Sequence, residues 1–400
     1  MNQTLGEQKL LHIVIVTGQG QANLIPILQF KPHKVVLLIS SKMGNQANNF
    51  KKNLVKFGNY SEEDVIEFDL PDADLELIGL KGLEIFEELK NRFPAYRMKY
   101  NVTGGNKLMV LGLYEAFRGE ISEVFYTDMA HDRIEVVLPG ESPSIPIKHV
   151  LSIKGYLLSM GQQYRRSSDQ SWEEGARHRK NVAKHLGKQA DELGGFFSAI
   201  NAMVKKAVND PERNESQRID YPDQEFQKGP FQDGKVALKL FKDAELCKWD
   251  PSEPKKIEFN SLDGALFLSG GWLEEYVWHL LSDLQPAEVL ANVEFTELGS
   301  PKADIRNEID CMAVHTNRLL IVECKSGNLK KDDSKTNDVL YKMNTLKERS
   351  AGLFGESCLV SAQKPHDSAL KRAKEYQIEV FYGAQLKKNL KDYFGEWIGG

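Results

Sequence analysis

Short runs of consecutive apolar residues alternate, along the first third of the chain, with stretches whose apolar positions recur every three or four residues. The runs at 11–16, 34–39, 65–68, 98–102, 124–127 and 134–138 predict strands. The first is apolar nearly throughout, as expected of a parallel strand covered on both faces. Between them the spacing predicts a helix with Pro26 in its first turns, one ending near Phe57, one over 75–92 and one ending near Phe117. Strand–helix alternation of this kind predicts an α/β fold with an open, mostly parallel sheet over residues 1–150.

From 151 to 260 the pattern changes. Residues 161–179 are polar and charged, 181–208 read as helices broken near Gly194-Gly195, and 210–234 are rich in Pro, Asp, Gln and Arg. The runs 235–241, 244–248 and 255–259 predict short strands or a small wing. This is a mainly helical connector, with a winged-helix-like module as the alternative. Its basic residues Arg165, Arg166, Arg177, Arg179, Lys180, Lys205 and Lys206 could reach phosphates, although such runs are usually solvated.

Residues 261–400 return to α/β patterning. Trp272, Leu273, Tyr276, Val277 and Leu280 recur at helical spacing. The apolar runs 309–314 and 319–322 flank Thr316-Asn317 and predict a β-hairpin. A helix over 341–349, a strand over 357–361, a helix over 368–376 and a strand over 378–382 follow, giving the order α-β-β-β-α-β.

The hairpin carries the most informative chemistry. With Thr316 and Asn317 as the turn, His315 faces Arg318, and counting back sets Asp310 opposite Glu323. Opposed residues share a face with Cβ atoms roughly 4.5–5.5 Å apart. Lys325, two residues past Glu323, shares that face, while Val322 and Cys324 point to a core. Two carboxylates about 5 Å apart repel by roughly 3 kcal/mol at an effective dielectric near 20. A bridging cation would remove that cost, and Lys325 could remove part of it alone. All-oxygen ligands suit Mg²⁺ or Mn²⁺ rather than Zn²⁺. Thr-Asn is not a favoured pair for a two-residue turn, and a three-residue loop would separate the carboxylates. Glu274 supplies a third acid. Its neighbour Glu275, about 100° around the helix, should face solvent if Leu273 and Val277 face the core.

Composition changes little. The chain has 400 residues, 41% of them hydrophobic, and a net charge of −5, so a nucleic-acid enzyme of this balance must concentrate its basic groups locally. Cys247, Cys311, Cys324 and Cys358 are scattered, which suits a reducing, cytoplasmic setting and gives no zinc pattern. No apolar run approaches a membrane span, and no signal-peptide layout is present.

Helix-Glu, strand-Asp, then Glu-x-Lys, here Glu274, Asp310 and Glu323-Cys324-Lys325, resembles the PD-(D/E)XK nuclease family of restriction-endonuclease-like α/β fold. The resemblance implies metal-dependent cleavage of phosphodiesters. Asp310, Glu323 and the backbone carbonyl of Cys324 would be ligands of Mn²⁺ or Mg²⁺, Glu274 would complete the set, and Lys325 would act beside them. Lys330, Lys331 and Lys342 are further candidates to face the strand or the site.

Two loops stand out in the first domain. Gly18-Gln19-Gly20 starts like a dinucleotide fingerprint, but Asn23 replaces the third Gly and Ser40-Ser41 stands where a ribose-binding acid would be, which disfavours an NAD-linked enzyme. Thr103-Gly104-Gly105-Asn106-Lys107 lies between a strand and a helix start, where N–H groups can hold an anion. It lacks the P-loop spacing. Asn101-Val102-Thr103-Gly104-Gly105-Asn106-Lys107 resembles the loop of a Rossmann-like CARF domain. CARF followed by PD-(D/E)XK is the layout of ancillary nucleases of type III CRISPR systems activated by cyclic tetra-adenylate. That resemblance implies a homodimer sensing a cyclic oligoadenylate and cutting DNA or RNA, with Gly18, Gln19, Gly20, Asn23, Ser41, Thr103, Gly104, Gly105, Asn106 and Lys107 around the activator. The expected domains are 1–150 for sensing, 151–260 for connection and 261–400 for cleavage. The alternative is a ligand-sensing dimer that regulates transcription through the middle segment, which would have no need of Asp310, Glu323 and Lys325 on one face.

Overall fold

The computed structural model describes residues 8–18, 20–209, 217–298, 306–327, 333–347 and 355–399. The chain divides into two compact units, residues 1–164 with 296–305, and residues 165–295 with 306–400.

The first unit is the α/β sheet that the patterning predicts. Its strands are β1 (Leu10–Ile15), β2 (Lys34–Ile39), β3 (Val65–Asp69), β4 (Arg97–Asn101), β5 (Glu123–Asp128), β6 (Arg133–Leu138) and the short β7 (Ile145–Pro146). They lie in the order β3-β2-β1-β4-β5-β6-β7. The first five are parallel, and β6 and β7 add antiparallel. Helices α1 (Gln21–Phe30), α2 (Gly44–Phe57), α3 (Leu75–Arg92), α4 (Lys107–Phe117) and α5 (Ile153–Ser159) complete it. β1 is buried from Leu11 to Ile15, as its apolar run requires. The Asp74 side chain caps α3 by accepting from the N–H groups of Glu76 and Leu77 at 3.0 and 3.2 Å. Strands add in one direction from β1 to β3 and in the other from β1 to β4. The loops leaving β1 and β4 therefore meet at the switch point, where open α/β sheets bind ligands.

The second unit is built around α10 (Trp272–Asp283) and the strands β8 (Glu288–Glu297), β9 (Asn307–His315), β10 (Arg318–Lys325), β11 (Gly355–Ser361) and β12 (Glu379–Tyr382). These run β12-β11-β10-β9-β8. β8, β9 and β10 are antiparallel to one another, and β10, β11 and β12 are parallel. Helices α11 (Asp333–Leu346) and α12 (Asp367–Glu375) pack on this sheet through Leu340, Met343, Leu359, Ala369 and Ala373.

The segment expected to be a separate connector behaves differently from 165 onward. Helices α6 (Gln170–His178), α7 (Lys180–Lys188), α8 (Gly194–Ala207) and α9 (Gln232–Asp243) put Val182, Leu186, Phe197 and Leu238 into one core with Trp272, Tyr276, Val322 and Phe394. The physical reason is α10 itself. Trp272, Leu273 and every residue from Glu275 to Leu281 are buried, so the helix needs cover beyond the sheet. The packing is close: a Cβ at Gly187 would lie 2.6 Å from the Tyr276 ring. Residues 235–241, predicted as a strand, lie inside α9, because Gly234, Ala237, Leu238 and Phe241 form one buried face at helical spacing. A small three-stranded sheet of Asp223–Glu225, Lys256–Phe259 and Cys247–Lys248 follows.

Candidate active site and ligand-binding loops

The β9–β10 hairpin adopts the two-residue turn. Thr316 and Asn317 have φ of 46° and 60°, the pair of left-handed residues that a type I′ turn requires. Tertiary contacts support this unfavoured sequence. Asn317 is fully buried, the Thr316 hydroxyl donates to the His315 carbonyl at 2.8 Å, and Arg318 donates to the Trp397 carbonyl at 2.9 Å. The register runs from His315 opposite Arg318 to Cys311 opposite Val322. One step further sets Asp310 opposite Glu323, as the count from the turn predicts. Val322 and Cys324 point into the core.

On the other face the charges converge. Lys325 Nζ donates to Glu323 Oε2 at 3.0 Å and to Asp310 Oδ2 at 3.4 Å. The Cys324 N–H also donates to Asp310 Oδ2, at 2.6 Å. From α11 comes a second ammonium: Lys342 donates to Glu323 Oε1 at 2.8 Å and to the Glu308 carbonyl. The Glu323 carboxylate is almost completely enclosed, with 3% of its side chain exposed.

These groups perturb one another. Burial, reinforced by the Glu323 charge, pushes Asp310 up to about 6. Burial opposes the charge on Glu323, but Lys325 and Lys342 outweigh it and hold the carboxyl below its usual value. Burial, then the charge of Asp310, raises Glu274 to about 8, with Lys325 pulling the other way. Glu274 therefore lies within the electrostatic reach of the hairpin acids. Among the described residues no three His, Cys, Asp or Glu side chains already form a metal cage. The donors are nevertheless of the right kind: crowded carboxylate oxygens whose mutual repulsion a hard divalent cation would relieve.

Glu275 overturns an expectation. It is not solvent-facing but buried, and Arg179 grips it through Nη2 at 2.5 Å and Nε at 3.1 Å, while Nη1 reaches Asp263 at 2.6 Å. Burial raises Glu275 to about 7 against the pull of Arg179. Arg179 is correspondingly no solvated phosphate contact, being 7% exposed and stacked on Phe267 with Cζ 5.0 Å from the ring centroid. Sequence reasoning missed this pairing because a charge run carries no sign that one member is buried. Lys330, Lys331 and Gln19 lie outside the described residues.

In the first unit the two loops of the switch point pack together. Asn23 is buried and donates to the Ile15 carbonyl at 2.8 Å. Its own oxygen accepts from Asn101 at 3.2 Å. Asn101 in turn accepts from the Thr103 N–H at 3.0 Å, and the Thr103 hydroxyl accepts from the Thr127 N–H at 2.7 Å. Asn23 and Thr103 thus brace the loops from below. Gly104 must be glycine, since a Cβ there would stand 2.4 Å from the Ile15 carbonyl oxygen and 2.5 Å from Asn23 Nδ2. Gly105 has φ of 88°, a left-handed conformation that favours glycine. Asn106 caps α4 by accepting from the Met109 N–H at 3.0 Å. Gly18, Ser41, Gly105 and Lys107 are exposed and Gly20 is buried.

Comparison with known proteins agrees with this division. A family model described as the Card1 CARF domain matches residues 11–156. A second, described as a Card1-like endonuclease domain, matches residues 263–399. No curated protein matches the sequence. Among solved structures, protein VC1899 from Vibrio cholerae superposes with a TM-score of 0.82 at 20% identity over 98% of both chains. Can2 from Sulfobacillus thermosulfidooxidans, solved with cyclic tetra-adenylate, gives 0.74 at 21% identity over 98% of both chains. A type III CRISPR defence DNA nuclease activated by cyclic oligoadenylate gives 0.52 at 17% identity, over 91% of this chain and 48% of its own. At these identities the likeness is one of fold. The two matches stand in series across most of the chain, which joins a CARF domain of the Card1 kind to a Card1-like endonuclease domain.

Proposed function

We propose that this protein is a nuclease of type III CRISPR defence, switched on by a cyclic oligoadenylate, with cyclic tetra-adenylate the leading activator. In this reading residues 1–150 sense the activator and 261–400 cut, with Mn²⁺ or Mg²⁺ as cofactor and DNA or RNA as substrate. The observation that carries it is the hairpin face on which Asp310, Glu323 and Lys325 stand within hydrogen-bonding reach, with Glu274 within their electrostatic reach. A transcriptional regulator would have no use for that constellation.

Asp310 and Glu323 would hold the cation, with the Cys324 carbonyl and Glu274 as further ligands. A bound divalent cation would supply positive charge to the scissile phosphate and acidify water. Lys325 is fixed by both hairpin acids, and its ammonium can offset charge that develops on phosphate oxygens. In the sensing unit, the exposed Gly18, Ser41, Gly105 and Lys107 would meet the activator. The first N–H groups of α4 would take its phosphates. Buried Asn23 and half-buried Thr103 would position those loops rather than touch the ligand.

A cyclic ligand of repeated units suits a two-fold site, and the first unit carries a surface fit for pairing. Leu77, Leu80 and Leu83 on α3 and Leu108 and Leu111 on α4 are 44–59% exposed. We assign this leucine face to the homodimer contact. No helix among the described residues is long and apolar enough to cross a membrane, and the four cysteines are free and buried, which supports a cytoplasmic setting. The test is cleavage of plasmid, single-stranded DNA and RNA with Mn²⁺, with and without cyclic tetra-adenylate. Activity only with both, lost in Asp310→Asn and Glu323→Gln, is expected. Equal cleavage without the cyclic nucleotide would remove the switch.

A further inference from the structure

We propose that Lys342 is a second lysine of the active site, which competes with a divalent cation for Glu323 and turns to a substrate phosphate oxygen when the cation binds. This rests on the reading of Asp310 and Glu323 as cation ligands.

The inference starts from the occupancy of Glu323. Both of its oxygens carry an ammonium: Oε1 accepts from Lys342 at 2.8 Å and Oε2 from Lys325 at 3.0 Å. A cation bridging Glu323 and Asp310 would sit against both ammonium groups, and like charges at such range repel strongly. One of them must yield, and the two are held differently. Lys325 rises from the same strand as Glu323 and is shared by two carboxylates, Glu323 and Asp310. Lys342 comes from α11 and, among the described residues, has one carboxylate, with the neutral Glu308 carbonyl as its other partner. Its side chain is 37% exposed, so it has a way out towards solvent, where a substrate strand must approach.

The backbone keeps Lys342 at the rim when its ammonium swings. Leu340 and Met343 are fully buried on either side of it and anchor α11 in the cluster with Leu359 and Ala369. The Glu308 carbonyl gives the ammonium a partner that a cation on Glu323 does not remove. From there a phosphate oxygen is the natural replacement for the lost carboxylate, a charge-assisted contact of the same geometry. The lysine would thus exchange one anion for another, which couples cation binding to substrate binding.

The experiment measures Mn²⁺ binding by titration calorimetry on the full chain without nucleic acid, for wild type, Lys342→Met, Lys342→Gln and Glu323→Gln, with melting curves for each. Removal of a competing positive charge should tighten Mn²⁺ binding about tenfold in both Lys342 variants. Single-turnover cleavage at saturating Mn²⁺ and cyclic tetra-adenylate should slow by about tenfold or more in the same variants. Folded Lys342 variants that bind Mn²⁺ no more tightly than wild type overturn the competition. Tighter binding with wild-type cleavage overturns the phosphate contact. Glu323→Gln separates this from the underlying reading: if it binds Mn²⁺ as wild type does, Glu323 is no cation ligand and both fall together.

Discussion

The Arg179–Glu275 pair offers a test of how the segment before the endonuclease elements supports α10. In Arg179→Met the Glu275 carboxylate loses its bidentate partner in a site where it is 2% exposed. Two unit charges about 4 Å apart at an effective dielectric near 20 attract by roughly 4 kcal/mol. Breaking a buried pair typically costs about 3–5 kcal/mol. Loss of the Asp263 contact adds little, since that carboxylate is 70% exposed. Burial already raises Glu275 to about 7, and removal of Arg179 raises it further. A carboxyl whose folded value lies above its unfolded one contributes stability below the unfolded value and loses it as pH rises. At pH 7 Glu275 is about half protonated in the wild type and more fully protonated in the variant. One proton separates the two above pH 7, so the gap between variant and wild type should open there by at most about 1.4 kcal/mol per pH unit and reach about 2–3 kcal/mol by pH 9. All five tryptophans, Trp172, Trp249, Trp272, Trp278 and Trp397, lie in the second unit, so urea unfolding followed by tryptophan fluorescence reports on that unit. The double variant Arg179→Met/Glu275→Met should recover most of the loss, because apolar groups of similar size can replace a buried pair. A single variant within about 1 kcal/mol of wild type at pH 9, or a double variant no better than the single, would refute the reasoning.

Other outcomes follow from the same geometry. Gly104→Ala should destabilise the first unit by about 1–3 kcal/mol, read as a loss of activator affinity and a lower melting temperature, since its Cβ meets backbone and Asn23 at under 3 Å. Lys107→Ala should raise the cyclic tetra-adenylate concentration needed for half-maximal cleavage, with activity recovering at saturation; an unshifted curve removes Lys107 from the pocket. Leu80→Glu with Leu111→Glu should convert the proposed dimer to a monomer by light scattering, and an unchanged mass would move the interface elsewhere. Mn²⁺ affinity should rise between pH 6 and pH 9, because Asp310 and Glu274, raised to about 6 and about 8, must lose their protons to act as ligands. A pH-independent affinity would exclude both.

The sequence by itself determined the strands and helices of the first unit and the opposition of Asp310 to Glu323. Both depend on short periods. A strand alternates every two residues, so one turn, once placed, decides every side chain along the hairpin. What carried no local signal was decided by packing. Thr316-Asn317 forms an unfavoured turn because Asn317 is buried and Arg318 is tied to the Trp397 carbonyl. Glu275 looks solvent-facing on a helix read against one partner, but α10 has two, the sheet on one side and α7 and α8 on the other. Residues 165–260 read as a connector because their polar composition shows which residues are charged, not that Arg179 is the one enclosed. Lys342 reaches Glu323 from a helix 19 positions further along the chain. The span of a pairing across that distance depends on where α11 docks, which the apolar contacts of Leu340 and Met343 settle only once the sheet beneath them exists.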